Sequence, residues 1–261
     1  MNLRLSLFAV FVTGLTATLF TPSLRADFTA SSDFDYSTGK YGEKITTNMY
    51  ISNVALEYAQ DRWSGRMIVP YYIISGPGDV LPRVGRVNGV RRLILDQSTR
   101  TDRGLGDVVL SGSYDVLGQN DDNWFVSFTG DIKLATADEK KGLGTGKRDY
   151  SPRVDVSRSL GDFTPYVSLG YRFVGKPNGS NLRDYPYGSI GLNYAATELT
   201  TLGVAFDCNA RTSDTANVDN ELSASVSHTF APGWRLSLRA LAGLSSSAPD
   251  FGAGGSLSYT F

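Results

Sequence analysis

Phe251-Gly-Ala-Gly-Gly-Ser-Leu-Ser-Tyr-Thr-Phe261 is the stretch from which the fold can be read. Phe251, Ala253, Leu257, Tyr259 and Phe261 share one parity, and Gly252, Gly254, Ser256, Ser258 and Thr260 the other. Successive strand side chains point to opposite faces, so this is a β-strand with one apolar face and one small, polar face.

The same alternation recurs upstream. Trp124, Val126, Phe128, Gly130 and Ile132 alternate with Phe125, Ser127, Thr129, Asp131 and Lys133; Trp234, Leu236, Leu238 and Ala240 alternate with Arg235, Ser237 and Arg239. Twelve such segments are expected, over 27–37, 47–60, 63–76, 103–117, 122–135, 148–159, 162–174, 184–196, 199–211, 219–230, 233–245 and 251–261. Runs with the 3.6-residue period and caps of a helix are nearly absent. The connections alternate in length. Asp61-Arg62, Gly118-Gln-Asn-Asp121, Gly161, Thr197-Glu198 and Ala231-Pro232 are short, whereas 38–46, 77–102, 136–147, 175–183, 212–218 and 246–250 are long. An even strand count with short turns at one end and long loops at the other is the pattern of bacterial outer-membrane barrels. The last strand, finishing on Phe261, resembles the C-terminal signature of those barrels and implies the barrel-assembly machinery as a partner. The expected fold is therefore an all-β, antiparallel, up-and-down transmembrane barrel of about 12 strands with both termini periplasmic.

The faces agree. The apolar parity carries almost no charge; Arg158 and His228, near strand ends, are the exceptions. At the short-turn ends that parity holds Tyr58, Trp63, Tyr114, Trp124, Phe163, Tyr194, Phe230, Trp234 and Phe261, and at the long-loop ends Tyr36, Tyr50, Tyr71, Tyr150, Phe173 and Phe251. Two aromatic belts suit the two headgroup layers of a bilayer. Residues 1–26 read as a cleaved secretory signal: Arg4, an apolar run from Leu5 to Phe20, then Ser23-Leu-Arg-Ala26. Residues 27–261 would form a single barrel domain in the outer membrane, in contact with its lipid and lipopolysaccharide.

Composition narrows function. The formal charge of the chain is -1 and its pI is near 5.9, which argues against nucleic acid as a partner. The single cysteine, Cys208, excludes an internal disulfide, and the single histidine, His228, speaks against a histidine metal site or catalytic triad. No cofactor and no enzymatic activity are expected.

The polar parity would line the lumen. It holds Glu57, Arg66, Asp107, Asp115, Asp131, Lys133, Arg153, Asp155, Arg172, Asp207, Arg211, Glu221, Arg235 and Arg239. Arg66, Arg153, Arg172, Arg235 and Arg239 could form a ladder for anions or aromatic acids, or pair with the protein's own carboxylates. Barrels of eight strands are filled by side chains and those of 16–18 leave a water channel, so twelve lies between. Loop 77–102, with Arg83, Arg86, Arg91, Arg92 and Arg100, either meets lipopolysaccharide phosphates or folds into the mouth. Gly142-Leu-Gly-Thr-Gly-Lys147 fails the phosphate-loop spacing, because Lys141 stands at the first glycine position and Arg148 at the Ser/Thr position.

Gly104-Leu-Gly-Asp107, Asp131-Ile-Lys-Leu-Ala-Thr136, Gly142-Leu-Gly-Thr-Gly146, Tyr150-Ser-Pro152 and Val167-Ser-Leu-Gly-Tyr171 follow in order. This succession resembles the transporter family of outer-membrane barrels named for the meta-pathway of phenol degradation. That family has Lys-Leu-Pro-Thr-Gly where this chain has Ala135 and Ala137 at the proline and glycine positions. The resemblance implies passage of aromatic compounds and assigns no substrate residue. The leading expectation is a channel or transporter for passive passage of small solutes, anionic or aromatic, through a charge-lined lumen. The alternative is a structural or adhesive barrel with a plugged lumen and functional loops.

Overall fold

The computed structural model describes residues 27–76, 80–83, 86–91, 99–118, 123–214 and 216–261. The segment read as a signal, 1–26, lies outside them, as do Arg92–Leu95 of the long basic loop.

Strands β1 (Asp27–Gly39), β2 (Thr47–Gln60) and β3 (Trp63–Gly76) form an antiparallel meander. A short hairpin, β4 (Val80–Arg83) and β5 (Arg86–Arg91), then rises inside the loop expected over 77–102. The barrel continues through β6 (Arg100–Leu105), β7 (Val109–Leu117), β8 (Trp124–Lys133), β9 (Asp149–Arg158), β10 (Phe163–Arg172), β11 (Tyr185–Ala195), β12 (Thr200–Asn209), β13 (Asp219–Ala231), β14 (Trp234–Gly243) and β15 (Phe251–Thr260). From β7 onward each strand pairs with the next, and β15 closes on β1 from Thr29↔Thr260 to Thr38↔Phe251. Closure leaves no edge for lipid to satisfy.

The segment expected as one strand over 103–117 is two. β6 pairs with the long-loop half of β3 and β7 with its short-turn half, so together they make one of twelve spans. The cause is local. Ile68 pairs with Val109 and Tyr71 with Leu105, so three residues, 106–108, oppose only Val69 and Pro70. That is a bulge of one residue, placed opposite a proline, which has no N–H to give the ladder. The Gly106 N–H donates to the Pro70 carbonyl at 2.8 Å.

The parity reading holds along the wall. Val54, Val167, Leu169, Ile190, Val204, Leu222 and Leu238 face outward and are exposed, while Asn53, Ser168, Ser189, Glu221 and Ser237 alternate inward and are buried. At the short-turn end the outward aromatics meet in pairs: Phe28–Tyr58 at 4.9 Å, Trp63–Tyr114 at 4.5 Å, Phe163–Tyr194 at 5.0 Å and Trp234–Tyr259 at 4.9 Å between ring centroids. Tyr36–Tyr50 and Tyr171–Phe173 do so at the long-loop end, at 4.9 and 5.0 Å. The two polar exceptions read from the sequence are accommodated, and Arg103, opposite outward Ile73, is a third. Arg158 lies over the Trp124 ring at 5.0 Å, and His228 Nδ1 is 2.9 Å from Thr200 Oγ1.

Candidate functional site: the barrel interior

Asp107 organises the interior at the bulge. Its Oδ1 accepts the backbone N–H groups of Thr136 at 3.0 Å and Ala137 at 2.9 Å, and its Oδ2 accepts Lys133 Nζ at 2.7 Å. Lys133 also reaches Asp149 at 3.6 Å and donates to the Lys147 carbonyl at 3.1 Å. The Val108 N–H donates to Thr136 Oγ1, and Thr136 Oγ1 in turn donates to the Gly106 carbonyl. These bonds turn the segment after β8 back over the interior.

The glycines explain how closely it packs. A Cβ on Gly104 would stand 2.9 Å from Leu143, one on Gly106 would stand 2.0 Å from the Tyr72 ring, and one on Gly144 would stand 2.7 Å from Asp107 Oδ2. Gly104-Leu-Gly-Asp107 and Gly142-Leu-Gly144 are thus one packed unit: Gly104 makes room for Leu143, and Gly144 for Asp107. Leu143, only 1% exposed, enters a buried cluster with Tyr41, Met49, Ile51, Tyr72 and Ile74. Tyr41 comes from the loop after β1 and sits at φ 50°, a left-handed conformation that costs a non-glycine residue on the order of 1 kcal/mol. Its hydroxyl is 2.7 Å from Ser37 Oγ, and burial pushes its phenol above the usual range. Two loops therefore add Tyr41 and Leu143 to an apolar cluster on the β2–β3 wall at the long-loop end.

Below this cluster the interior is mostly polar. Arg153 Nε donates to Asp155 Oδ2 at 2.8 Å, and the Ser168 hydroxyl donates to the other Asp155 oxygen. Arg172 Nε donates to Ser151 at 2.9 Å, and its guanidinium lies 5.7 Å from the centre of the Tyr187 ring. Arg239 Nη2 donates to Asp35 at 2.8 Å, and Arg66 Nη1 stands 3.5 Å from Glu57. Asp131 accepts from Ser111 at 2.7 Å. Asp115, at a bulge in the β7–β8 pairing, faces inward, as do Asp207 on β12, Glu221 on β13 and Arg235 on β14. The structure thus pairs Arg153, Arg239 and Arg66 with carboxylates rather than joining the five arginines in a ladder. Arg211 lies outside this set: β12 ends at Asn209, and Arg211 stands exposed in the following loop.

Further inward carboxylates, not among the expected residues, are Asp33 and Asp35 on β1, Asp102 on β6, Asp149 on β9 and Asp219 on β13. Asp33 and Asp35 were legible in principle, because Phe28, Phe34 and Tyr36 fix the outward parity of β1. Asp149 and Asp219 open their strands, where parity has little sequence to rest on. With them, inward carboxylates outnumber inward basic residues among the described residues. Among the described residues, no group of three or more His, Cys, Asp or Glu is placed to hold a metal ion.

A closed sheet of twelve spans, apolar outside, belted by aromatics and charged inside defines a transmembrane β-barrel of the bacterial outer membrane. The chain belongs to the family described as "Putative MetA-pathway of phenol degradation", which matches residues 45–261. In fold it is similar to an outer membrane channel from Pseudomonas putida F1, with a TM-score of 0.71 at 12% identity over 90% of this chain and 96% of that one. The KdgM porin, solved in complex with disordered oligogalacturonate, gives 0.52 at 9% identity over 88% and 99%. The beta domain of the Bordetella autotransporter BrkA gives 0.51 at 11% identity over 91% and 100%. Among curated proteins, none matches the chain by sequence. A channel, a porin and an autotransporter domain share this architecture, so the function rests on the interior.

Proposed function

We propose that this barrel is an outer-membrane channel or transporter that passes small solutes through its polar interior and is closed at the long-loop end by the Leu143–Tyr41 plug. The carrying observation is the contrast between the two levels: mostly hydroxyls and ion pairs below, and above an apolar cluster of the β2–β3 wall completed by two loops. A wall cluster that belonged only to the fold would come from strands; this one takes Leu143 and Tyr41 from connections. The pairing of Arg66, Arg153 and Arg239 with carboxylates removes the ground for an anion ladder, and the excess of inward carboxylates favours cations in any water path. Both termini at the periplasmic side, lipid and lipopolysaccharide around the wall, and the assembly machinery at the last strand complete the reading.

Single-channel recording of the refolded protein in planar bilayers tests it. Wild type is expected to conduct in brief, infrequent openings, and Leu143→Ala to lengthen or multiply them. A second reading, a structural or adhesive barrel with a filled lumen, is favoured by the near-complete burial of Met49, Ile51, Tyr72 and Ser168. Folded protein that stays silent with both Leu143 and Tyr41 truncated to alanine would establish that second reading instead.

A further inference from the structure

At the long-loop end the barrel wall is stepped. β6 stays paired with β3 up to Gly76↔Arg100, whereas β8 stops at Lys133, in register with Val109. The chain beyond Lys133 turns inward to Asp107, and β9 begins only at Asp149. β6 therefore ends the sheet on that side, with no strand beside its second edge among the described residues. The bond from the Gly106 N–H to the Pro70 carbonyl fixes the ladder: Gly104, Asp102 and Arg100 turn their backbone groups toward β3. The N–H and C=O groups of Leu105, Arg103 and Thr101 point the other way, into the step.

Two arginines flank the step. Arg103, outward and exposed on β6, lies two residues beyond Leu105, the register partner of Tyr71 in the upper aromatic belt. Arg148, also exposed, lies two residues beyond Tyr150 of the same belt. Two strand residues span roughly 7 Å, so both cations stand just beyond the ring level that marks the headgroup layer. Among the described residues neither is held by a carboxylate, whereas Arg100 holds Asp102, Lys176 holds Asp184 and Arg183 holds Asp214. Below them Leu105 and Ile132 face outward and are exposed.

Three chemistries thus meet on one outer face: apolar side chains below, two unpaired cations at headgroup height, and an open strand edge that both donates and accepts. Phosphates answer the arginines, sugar hydroxyls answer the edge, and acyl chains lie along Leu105 and Ile132. Phosphatidylglycerol carries one phosphate and no sugar; lipid A carries a phosphate at each end of an acylated disaccharide. We propose that the step between β6 and β9 binds the phosphorylated disaccharide of lipopolysaccharide, with Arg103 and Arg148 each taking a phosphate. The inference rests on the reading that the long-loop end faces outward.

Native mass spectrometry of the protein, refolded free of lipopolysaccharide, tests the site by titration with bisphosphorylated lipid A, dephosphorylated lipid A and phosphatidylglycerol. Bisphosphorylated lipid A is expected to add saturably, one molecule per barrel, and the other two to bind more weakly. Arg103→Gln and Arg148→Gln are each expected to weaken it about tenfold, the scale of one lost hydrogen bond to a charged group. Arg183→Gln, at a rim cation already paired with Asp214, should leave it unchanged. Retention of the unboiled, fast-migrating gel band shows that each variant is folded. Equal binding of phosphatidylglycerol or of dephosphorylated lipid A overturns the proposal, and so does unchanged lipid A binding in the folded double variant of Arg103 and Arg148. Antibody labelling of intact cells carrying a peptide tag after Asn178, exposed in the loop following β10, reports the orientation separately. A tag reached only after the outer membrane is opened overturns the proposal whatever the isolated barrel binds.

Discussion

Asp107 is where the two family-like motifs become one structure. Its carboxylate, nearly inaccessible to water, holds two backbone N–H groups and Lys133. An amide at this position keeps an acceptor for the backbone and loses the charge that neutralises Lys133. Asp107→Asn is therefore expected to weaken the loop's attachment by about 2 kcal/mol, the scale of a hydrogen bond to a charged group. Trypsin cleavage at Lys140 and Lys141, both exposed, reads this directly: the variant should be cut faster there while its barrel keeps the folded gel mobility. Glycine makes the same point sterically. A Cβ on Gly106 would stand 2.0 Å from the Tyr72 ring, whereas one on Gly112 meets nothing within 4 Å. Gly106→Ala should cost about 1–3 kcal/mol by overpacking and Gly112→Ala almost nothing, measured as the shift in urea midpoint of the folded band. Equal midpoints would mean that Tyr72 and the bulge yield easily.

Strands were legible from sequence because lipid outside and polar groups inside impose a period of two on every span. The same selection makes a wrong-face charge costly. Val167, at the middle of β10, points outward and is exposed. Val167→Arg is expected to destabilise the barrel by about 2–4 kcal/mol, and Arg158→Leu, near a strand end, to change stability by under about 1 kcal/mol. Urea unfolding in detergent or lipid vesicles gives both numbers. What the period could not show were the features made by non-local contact. The break between β6 and β7 follows from Pro70 on the neighbouring strand, a residue outside the segment it interrupts. The inward turn of the loop after β8 depends on Asp107, 29 residues before Thr136. Arg211 was assigned to the interior because alternation was carried two residues past Asn209, where β12 ends. The hairpin within 77–102 pairs Val80 with Arg91 across a stretch whose composition reads as basic loop.

At the scale of the whole molecule, charge balance differs between the chain and its interior. The chain carries a formal charge of -1, but among the described residues carboxylates outnumber basic groups at the inward positions, because much of the basic complement, such as Lys140, Lys141, Arg148, Lys176 and Arg183, lies in the long loops. Reading the interior by its arginines alone suggests anions; counting the carboxylates reverses the sign, and Asp33, Asp35, Asp149 and Asp219 widen the excess. Ions in a narrow, low-dielectric path respond to that sum, since fixed charges there are poorly screened. Under a tenfold salt gradient across a planar bilayer, open events should therefore show a reversal potential of the cation-selective sign. Asp35→Asn, which leaves Arg239 without its carboxylate partner, should shift selectivity toward anions, and Arg239→Gln toward cations. An anion-selective wild type would show instead that the route runs beside the arginines and away from the carboxylates that outnumber them.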